Sequence, residues 1–216
     1  MLNLKAYPSA VGPGALRLAE GLATKTAELG VAAAVAPAAA DIGRLAESLW
    51  IPVLAQHADA FGPGAKTGYL VPSALRAAGA AGSLVNHSEH RLPGANVGPT
   101  LDSLRGAGLV PLLCSRDAKE SARLARFRPP YLAVEPPELI GGKISVAEAK
   151  PEVIEDTVAA VHRVSPSTIV LCGAGIHDRN DVRRSLELGA EGILVASAVA
   201  ASARPRAAMD ELLAGF

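Results

Sequence analysis

Aromatic side chains are scarce: only 3% of the 216 residues are Phe, Tyr or Trp, so alanine, valine and leucine must fill the core. Neither sign of charge is in excess, because 21 lysines and arginines meet 21 aspartates and glutamates. That balance excludes a general basic field for nucleic acid, though not a local anion site. The two cysteines, Cys114 and Cys172, lie too far apart for a CxxC metal or redox pair. Free thiols in a reducing compartment are expected. No apolar run reaches membrane-spanning length, and the opening MLNLKAYPSA carries polar Asn3 and Lys5 where a signal peptide would be apolar. A soluble, cytoplasmic protein with no membrane or nucleic-acid partner is the expectation. Nucleotide motifs are missing too. After Tyr7 the sequence reads PSAVGPGALRL with no GxGxxG, and around FGPGAKTG, Phe61 to Gly68, Ala60 and Ala65 stand where a P-loop needs glycines.

What is present is an alternation. Apolar, β-prone runs recur at LNLKAY, Val31 to Ala36, Ile51 to Gln56, Ala81 to Asn86, Leu109 to Cys114, Tyr131 to Glu135, Thr168 to Cys172 and Gly192 to Ala196. Several are apolar throughout, as strands buried on both faces should be. Between them ALRLAEGLATKTAELG, SARLARF, VIEDTVAAVHRV, DVRRSLELG and RAAMDELLAGF repeat apolar residues at helical spacing. Asp181 is the expected N-cap of its helix, and Gly30, Gly189 and Gly215 sit where helix C-terminal glycines belong. Alternating strands and helices predict a parallel sheet with right-handed crossovers. Eight β runs and no Gly-rich turn after the first favour an α/β fold of the closed parallel (β/α)8 barrel type, one domain over residues 1–216.

In such a barrel the strand C-terminal ends carry the chemistry. Asn3 and Lys5, two apart, are expected on one side of strand one; Lys5 reads either as an inward cation or as a solvated one. Strand four ends in NHSEHR. His87 reads as a core or capping histidine, or as a catalytic one held neutral by a helix starting near Ser88. The HSE tripeptide lacks the PCxxC half of a zinc deaminase signature, and His87 with His90 lacks a third metal ligand nearby. Strand six ends in Glu135, stiffened by Pro136 and Pro137; it reads as a solvated charge or as a positioned carboxylate. The short apolar centre that follows, closed by Gly141 and Gly142, suits a lid. CGAGI, Cys172 to Ile176, and ASAVA, Ala196 to Ala200, follow strands seven and eight with side chains small enough for backbone N–H groups to approach a phosphate.

Taken in order, NLK, AQH, GAKTG, NHSEHR, VEPPELIG, LCGAGI and GILVAS resemble triosephosphate isomerases over the whole length, in particular their shorter archaeal branch. A carboxylate base with a neutral histidine, and a loop that closes over the site, are known features of that family and enter here only through the resemblance. The resemblance implies isomerisation of glyceraldehyde 3-phosphate and dihydroxyacetone phosphate through an enediolate, with no metal and no cofactor. Glu135 would be the base, His87 the neutral electrophile, and Lys5 the cation that binds substrate and stabilises developing charge, with Asn3 beside it. The backbones of Gly141, Gly175, Ala196 and Ser197 would hold the phosphate. Pro136, Pro137, Glu138, Leu139, Ile140, Gly141 and Gly142 would form the lid. Thr67, in GAKTG, would lie at a subunit interface, and the archaeal branch implies a homotetramer rather than a homodimer. Two departures stand out: Lys143 follows Gly141-Gly142 where the family lid commonly ends Gly-Thr-Gly, and Ser145 stands where the archaeal pattern tends to proline. Another phosphosugar isomerase or lyase, and a catalytically silent barrel, are the competing expectations.

Overall fold

Short aliphatic runs form parallel strands, and the helices between them turn one apolar stripe inward. The computed structural model describes residues 1–137 and 150–216. Their contacts form two units, Leu2–Leu112 on the one hand and Met1 with Leu113–Phe216 on the other.

In the first unit β1 (Leu2–Asn3) pairs in parallel with β2 (Val35–Ala36), Leu2 opposite Val35 and Asn3 opposite Ala36. A parallel bridge from Val35 to Val53 leads on to β3 (Leu54–Ala55), which pairs in parallel with β4 (Gly82–Val85). Helix α1 (Pro13–Leu29) buries Ala15, Leu18, Ala19, Leu22, Ala23 and Thr26, the three-and-four spacing of one face. Each buried leucine there contributes ~1.5–3 kcal/mol relative to exposure. The helix ends as expected at Gly30, whose φ of 67° is the left-handed conformation glycine adopts most cheaply. Helices α2 (Ile42–Ser48), α3 (Pro72–Ala77) and α4 (Gly94–Gly106) complete the unit. Helix α4 keeps Pro99 in its interior because Val97, Thr100, Leu101 and Leu104 form a buried face. Strand β5 (Val110–Ser115) starts in this unit, where the Val110 N–H donates to Ala81 O at 3.0 Å.

The second unit holds the end of β5, α5 (Ala118–Ala125), β6 (Tyr131–Val134), α6 (Pro151–Val164), β7 (Ile169–Cys172), α7 (Arg179–Glu187), β8 (Gly192–Ile193), α8 (Ser197–Ala200) and α9 (Pro205–Leu213). Strands β6, β7 and β8 are parallel, with Val134 opposite Cys172 and Cys172 opposite Ile193. The Met1 nitrogen donates to Ile193 O at 3.0 Å, and the Val195 N–H donates to Met1 O at 3.1 Å, so Met1 lies along β8. Asp117 caps α5 by accepting the Glu120 N–H at 2.7 Å.

One capping expectation needs correction. The N-cap of α7 is Asp178, which accepts the Asn180 and Asp181 N–H groups; Asp181 is the third helical residue and answers from the other side of a capping box. Gly215 does not take a left-handed turn. It follows α9 where an added Cβ would collide with Val182 and the Arg179 carbonyl, so close packing requires it.

The α/β class is as expected, and eight strands in chain order occur among the described residues. Their ladders fall into a six-stranded sheet ordered β3-β4-β5-β6-β7-β8 and a two-stranded sheet β1-β2, where one continuous ladder was expected. The break falls where strands are two residues long: β1 stops before Lys5 turns left-handed, and Pro37 and Pro52, which carry no N–H, flank β2 and β3. No described helix is long and apolar enough to cross a membrane.

Gly82 lets β4 and β5 approach, since an added Cβ there would overlap the Val110 carbonyl oxygen and touch the Leu54 side chain at 3.3 Å. Gly82→Ala is expected to cost ~1–3 kcal/mol, because backbone must move to admit the methyl group. Chemical denaturation of the two proteins measures it, with wild-type stability as the contrary result.

Candidate active site

In the unit Leu2–Leu112, Asn3, Lys5, His87 and Glu89 form one polar cluster. Asn3 is buried at the end of β1, and its Oδ1 accepts the Lys5 N–H at 3.0 Å. The side-chain acceptor closes a tight turn and supports Lys5 at φ 50°, a conformation uncommon for a non-glycine residue. Contrary to expectation, strand alternation does not govern Lys5, because the strand has already ended. Gln56 reinforces the turn, its Nε2 donating to Lys5 O and Ala36 O, both at 3.0 Å. Lys5 Nζ lies 2.8 Å from Glu89 Oε1, and the lysine side chain is only 17% exposed.

His87, buried just past β4, is held differently from expectation. No helix starts at Ser88; residues 88–90 make a turn, and α4 begins at Gly94. The Glu89 N–H donates to His87 Nδ1 at 3.2 Å, and the His90 N–H closes the turn on His87 O at 2.9 Å. With Nδ1 accepting, the neutral ring carries its proton on Nε2. That nitrogen lies 3.4 Å from Asn3 Nδ2, so two donors stand side by side, an arrangement suited to an acceptor oxygen. One backbone donor thus sets the tautomer where a helix dipole had been expected to act.

Asn86, next to His87, has φ 61°, and its Oδ1 accepts the Leu92 N–H at 3.0 Å while its carbonyl accepts from Arg91 at 3.1 Å. The turn bearing His87 is thereby tied at both ends.

The second unit holds another cluster. Glu135 is buried directly after β6, and its backbone N–H donates to Ser115 O at 2.7 Å. Pro136 behind it is buried and Pro137 exposed. Gly173, at the end of neighbouring β7, donates its N–H to Val134 O at 2.8 Å. A Cβ at Gly173 would stand 2.8 Å from Glu135 Cγ, so the glycine makes room for the carboxylate's stem. The β7 loop continues through Gly175, at φ 65°. On the adjacent strand, Ala196 precedes the short helix α8, which starts at Ser197 and has no side-chain cap. Glu135, Gly175, Ala196 and Ser197 thus sit on the ends of three consecutive parallel strands. Cys172 is no nucleophile here: burial raises its thiol pKa to about 11, and its Sγ faces Ala174 O at 3.6 Å.

Among the sequence-predicted site residues, Glu138, Leu139, Ile140, Gly141 and Gly142, with Lys143 and Ser145, lie outside the described residues. Thr67 is exposed on the long β3–α3 loop. Gln56 was not singled out from the sequence, and Glu89 entered only with Ser88 as the start of a helix beside His87. Both lie inside quoted motifs, HSE and AQH, but their partner Lys5 is distant in the chain. Among the described residues no group of three or more His, Cys, Asp or Glu converges as a metal site.

The sequence profile described as Triosephosphate isomerase matches residues 1–210. The chain belongs to the triosephosphate isomerase family. It is 40% identical to the triosephosphate isomerase of Methanosarcina barkeri over 99% of this chain and 96% of that one. The figure is 45% for that of Cenarchaeum symbiosum, over 98% and 95%. A crystal structure of triosephosphate isomerase from Bartonella henselae shares the fold, with TM-score 0.75 at 19% identity, over 99% of this chain and 94% of that one.

Gly173→Ala is expected to lower kcat on the order of 10²-fold by displacing the Glu135 side chain, and to cost ~1–3 kcal/mol of stability as well, because the new Cβ would also stand 2.9 Å from the Val134 carbonyl oxygen. Steady-state kinetics beside an unfolding curve check it; unchanged kcat would contradict the spacing role of Gly173.

Proposed function

We propose that the chain interconverts D-glyceraldehyde 3-phosphate and dihydroxyacetone phosphate by proton transfer through an enediolate, the step shared by glycolysis and gluconeogenesis. Family membership over nearly the whole chain carries this reading. It makes the protein an intramolecular aldose–ketose isomerase.

The reaction needs a base at carbon, a donor at the two oxygens and a grip on the phosphate. Glu135 is proposed as the base. Its backbone bond to Ser115 O and its burial fix the carboxylate at a strand end, where it removes a proton from one carbon and returns it to the next. His87 is proposed as the electrophile that moves protons between the oxygens. The Glu89 N–H on Nδ1 leaves the Nε2 proton to be donated, which supports a neutral rather than a cationic role. Lys5, with Asn3 beside it, supplies positive charge for the enediolate and the bound substrate. Its ion pair with Glu89 keeps the ammonium ordered before substrate arrives. The backbone N–H groups of Gly175, Ala196 and Ser197, with Gly141, are proposed to hold the phosphate, supported by the left-handed turn at Gly175 and the helix start at Ser197. Pro136 to Gly142 is proposed as the lid that excludes water, since an exposed enediolate eliminates phosphate. None of these steps calls for a metal or an organic cofactor.

The reading extends to architecture. One closed (β/α)8 barrel domain over residues 1–216 is supported by the fold-level likeness and by the parallel bridge from Val35 to Val53 within the first unit. A cytoplasmic homotetramer is proposed, more readily than a homodimer, with Thr67 at a subunit interface. The exposure of Thr67 and of Tyr69 two residues on is compatible with that position.

Glu135→Gln keeps the side chain's size and removes its basicity. It is expected to lower kcat about 10²–10⁴-fold while circular dichroism and melting behaviour stay near wild type. Full activity in the variant would refute the base assignment.

A further inference from the structure

His57 and His90 enter none of the roles above, yet their rings lie face to face, centroids 3.9 Å apart and planes 14° from parallel. We infer that this stacked pair is a proton-sensitive clasp that holds the turn bearing His87 and Glu89 against the β3–α3 loop, so that both histidines are positioning residues for the isomerisation. What the clasp does for catalysis rests on the isomerase reading; the clasp itself does not.

All four groups belong to the unit Leu2–Leu112. On one side of the stack, His57 opens the long loop that ends before α3. Its Nε2 lies 3.3 Å from Asp59 Oδ1. Asp59 then pins the far end of the loop: its Oδ2 accepts the Leu70 N–H at 2.7 Å, and its own N–H donates to Leu70 O at 2.9 Å. On the other side, His90 belongs to the turn closed by its N–H on His87 O. A turn only four residues around cannot move His90 without moving Glu89, whose N–H sets the His87 tautomer and whose carboxylate holds Lys5. The stack is therefore a contact between the loop and the catalytic turn made by two titratable rings.

The charged groups around the pair decide its pH response. Asp59 favours a proton on His57, while burial and the facing His90 oppose it; burial is the largest cause, and together they hold the His57 pKa below its ordinary 6.5. Elsewhere on the turn, Glu89 holds Lys5 through Oε1 and stands 3.8 Å from His87 Nδ1 through Oε2, and Arg91 donates to the Asn86 carbonyl. On the loop, Lys66 sits over the Phe61 ring at 4.6 Å. Of these groups the Asp59 carboxylate is the one bonded to the pair, and a single carboxylate balances a single imidazolium. With both rings protonated, two cations face each other and the stack separates. The sign follows from the lowered folded-state value. The stabilisation is complete above the ordinary 6.5 and is lost as pH falls through the lower folded-state pKa of His57.

His90→Phe keeps a ring on His57 and removes one proton site; His90→Ala removes the ring. Because His90 is exposed, neither change disturbs the core. Amide hydrogen exchange of the full chain, corrected for the intrinsic pH dependence, is followed at Asp59 and Leu70 between pH 5 and 8, with kcat measured in parallel. In the wild type, protection at both amides and kcat decline together below pH 6.5. In His90→Phe, where two cations can no longer face each other, the decline is lost, and in His90→Ala protection is already reduced about tenfold at pH 8. Identical pH dependence of protection in wild type and His90→Phe overturns the clasp. Loss of the decline in protection with an unchanged kcat profile overturns its positioning role. A wild type that shows the decline in exchange but does not isomerise would contradict the enzymatic reading and leave the clasp standing.

Discussion

Parallel pairing is the constraint on which the site depends. A parallel ladder runs all its strands the same way, so within each unit the residues that follow successive strands collect at one edge of the sheet. In the second unit the ladder sets Val134 opposite Cys172 and Cys172 opposite Ile193. Glu135, Gly173 and the Ala196-Ser197 step are thereby placed within a few residues of their strand ends on neighbouring strands. In the first unit, β1 and β4 likewise deliver Asn3 and His87. Within each unit no separate device has to bring its groups to that edge; each is the last residue of a hydrogen-bonded run or lies within a few residues of its end.

Small side chains make this packing possible. An aromatic-poor chain leaves the interior to Ala, Val and Leu, and several close approaches are reserved for glycine. Gly82 admits the Val110 carbonyl and Gly173 admits the stem of Glu135. Neither needs glycine for its backbone angles; both need the missing Cβ. Most left-handed positions among the described residues are glycines, Gly30 and Gly175 among them, but Lys5, Asn86 and Arg128 are not. Lys5 sits in the polar cluster and Asn86 next to His87, each held by hydrogen bonds to an Asn side chain or from neighbouring donors. At Lys5 and Asn86 backbone strain of this kind accompanies a side chain that is aimed into or tied beside the cluster.

Much of this was legible from residue order. The runs Ala81 to Asn86, Tyr131 to Glu135 and Thr168 to Cys172 contain β4, β6 and β7 with one or two residues to spare, because continuous apolar runs bounded by polar residues specify buried strands. The first three runs overshoot their strands: the Lys5 turn ends β1 early, Pro52 precedes β3, and β2 takes only the last two residues of its run. Helix α4 is hard to read because its glycines and Pro99 argue against a helix locally, and only burial of Val97, Leu101 and Leu104 outweighs them. The positions of His87 and Glu135 at strand ends were readable; what holds them was not. Gln56, Ser115 and Gly173 act on residues remote in sequence; Glu89 acts on His87 from two residues away but through its backbone N–H, which any residue offers, and Asp178 is masked as a cap because Asp181 offers the same chemistry three residues later.

Isomerisation of dihydroxyacetone phosphate by the purified chain in deuterium oxide tests the central claim most directly, with the label in glyceraldehyde 3-phosphate read at C2 by proton NMR during the initial rate. A carboxylate base that takes the proton can exchange it with solvent before returning it, so product carrying deuterium at C2 is expected, and Glu135→Gln should form almost none. A Glu135→Gln variant that forms product at the wild-type rate with the same deuterium at C2 would contradict the account, because a group other than Glu135 would then be carrying the proton.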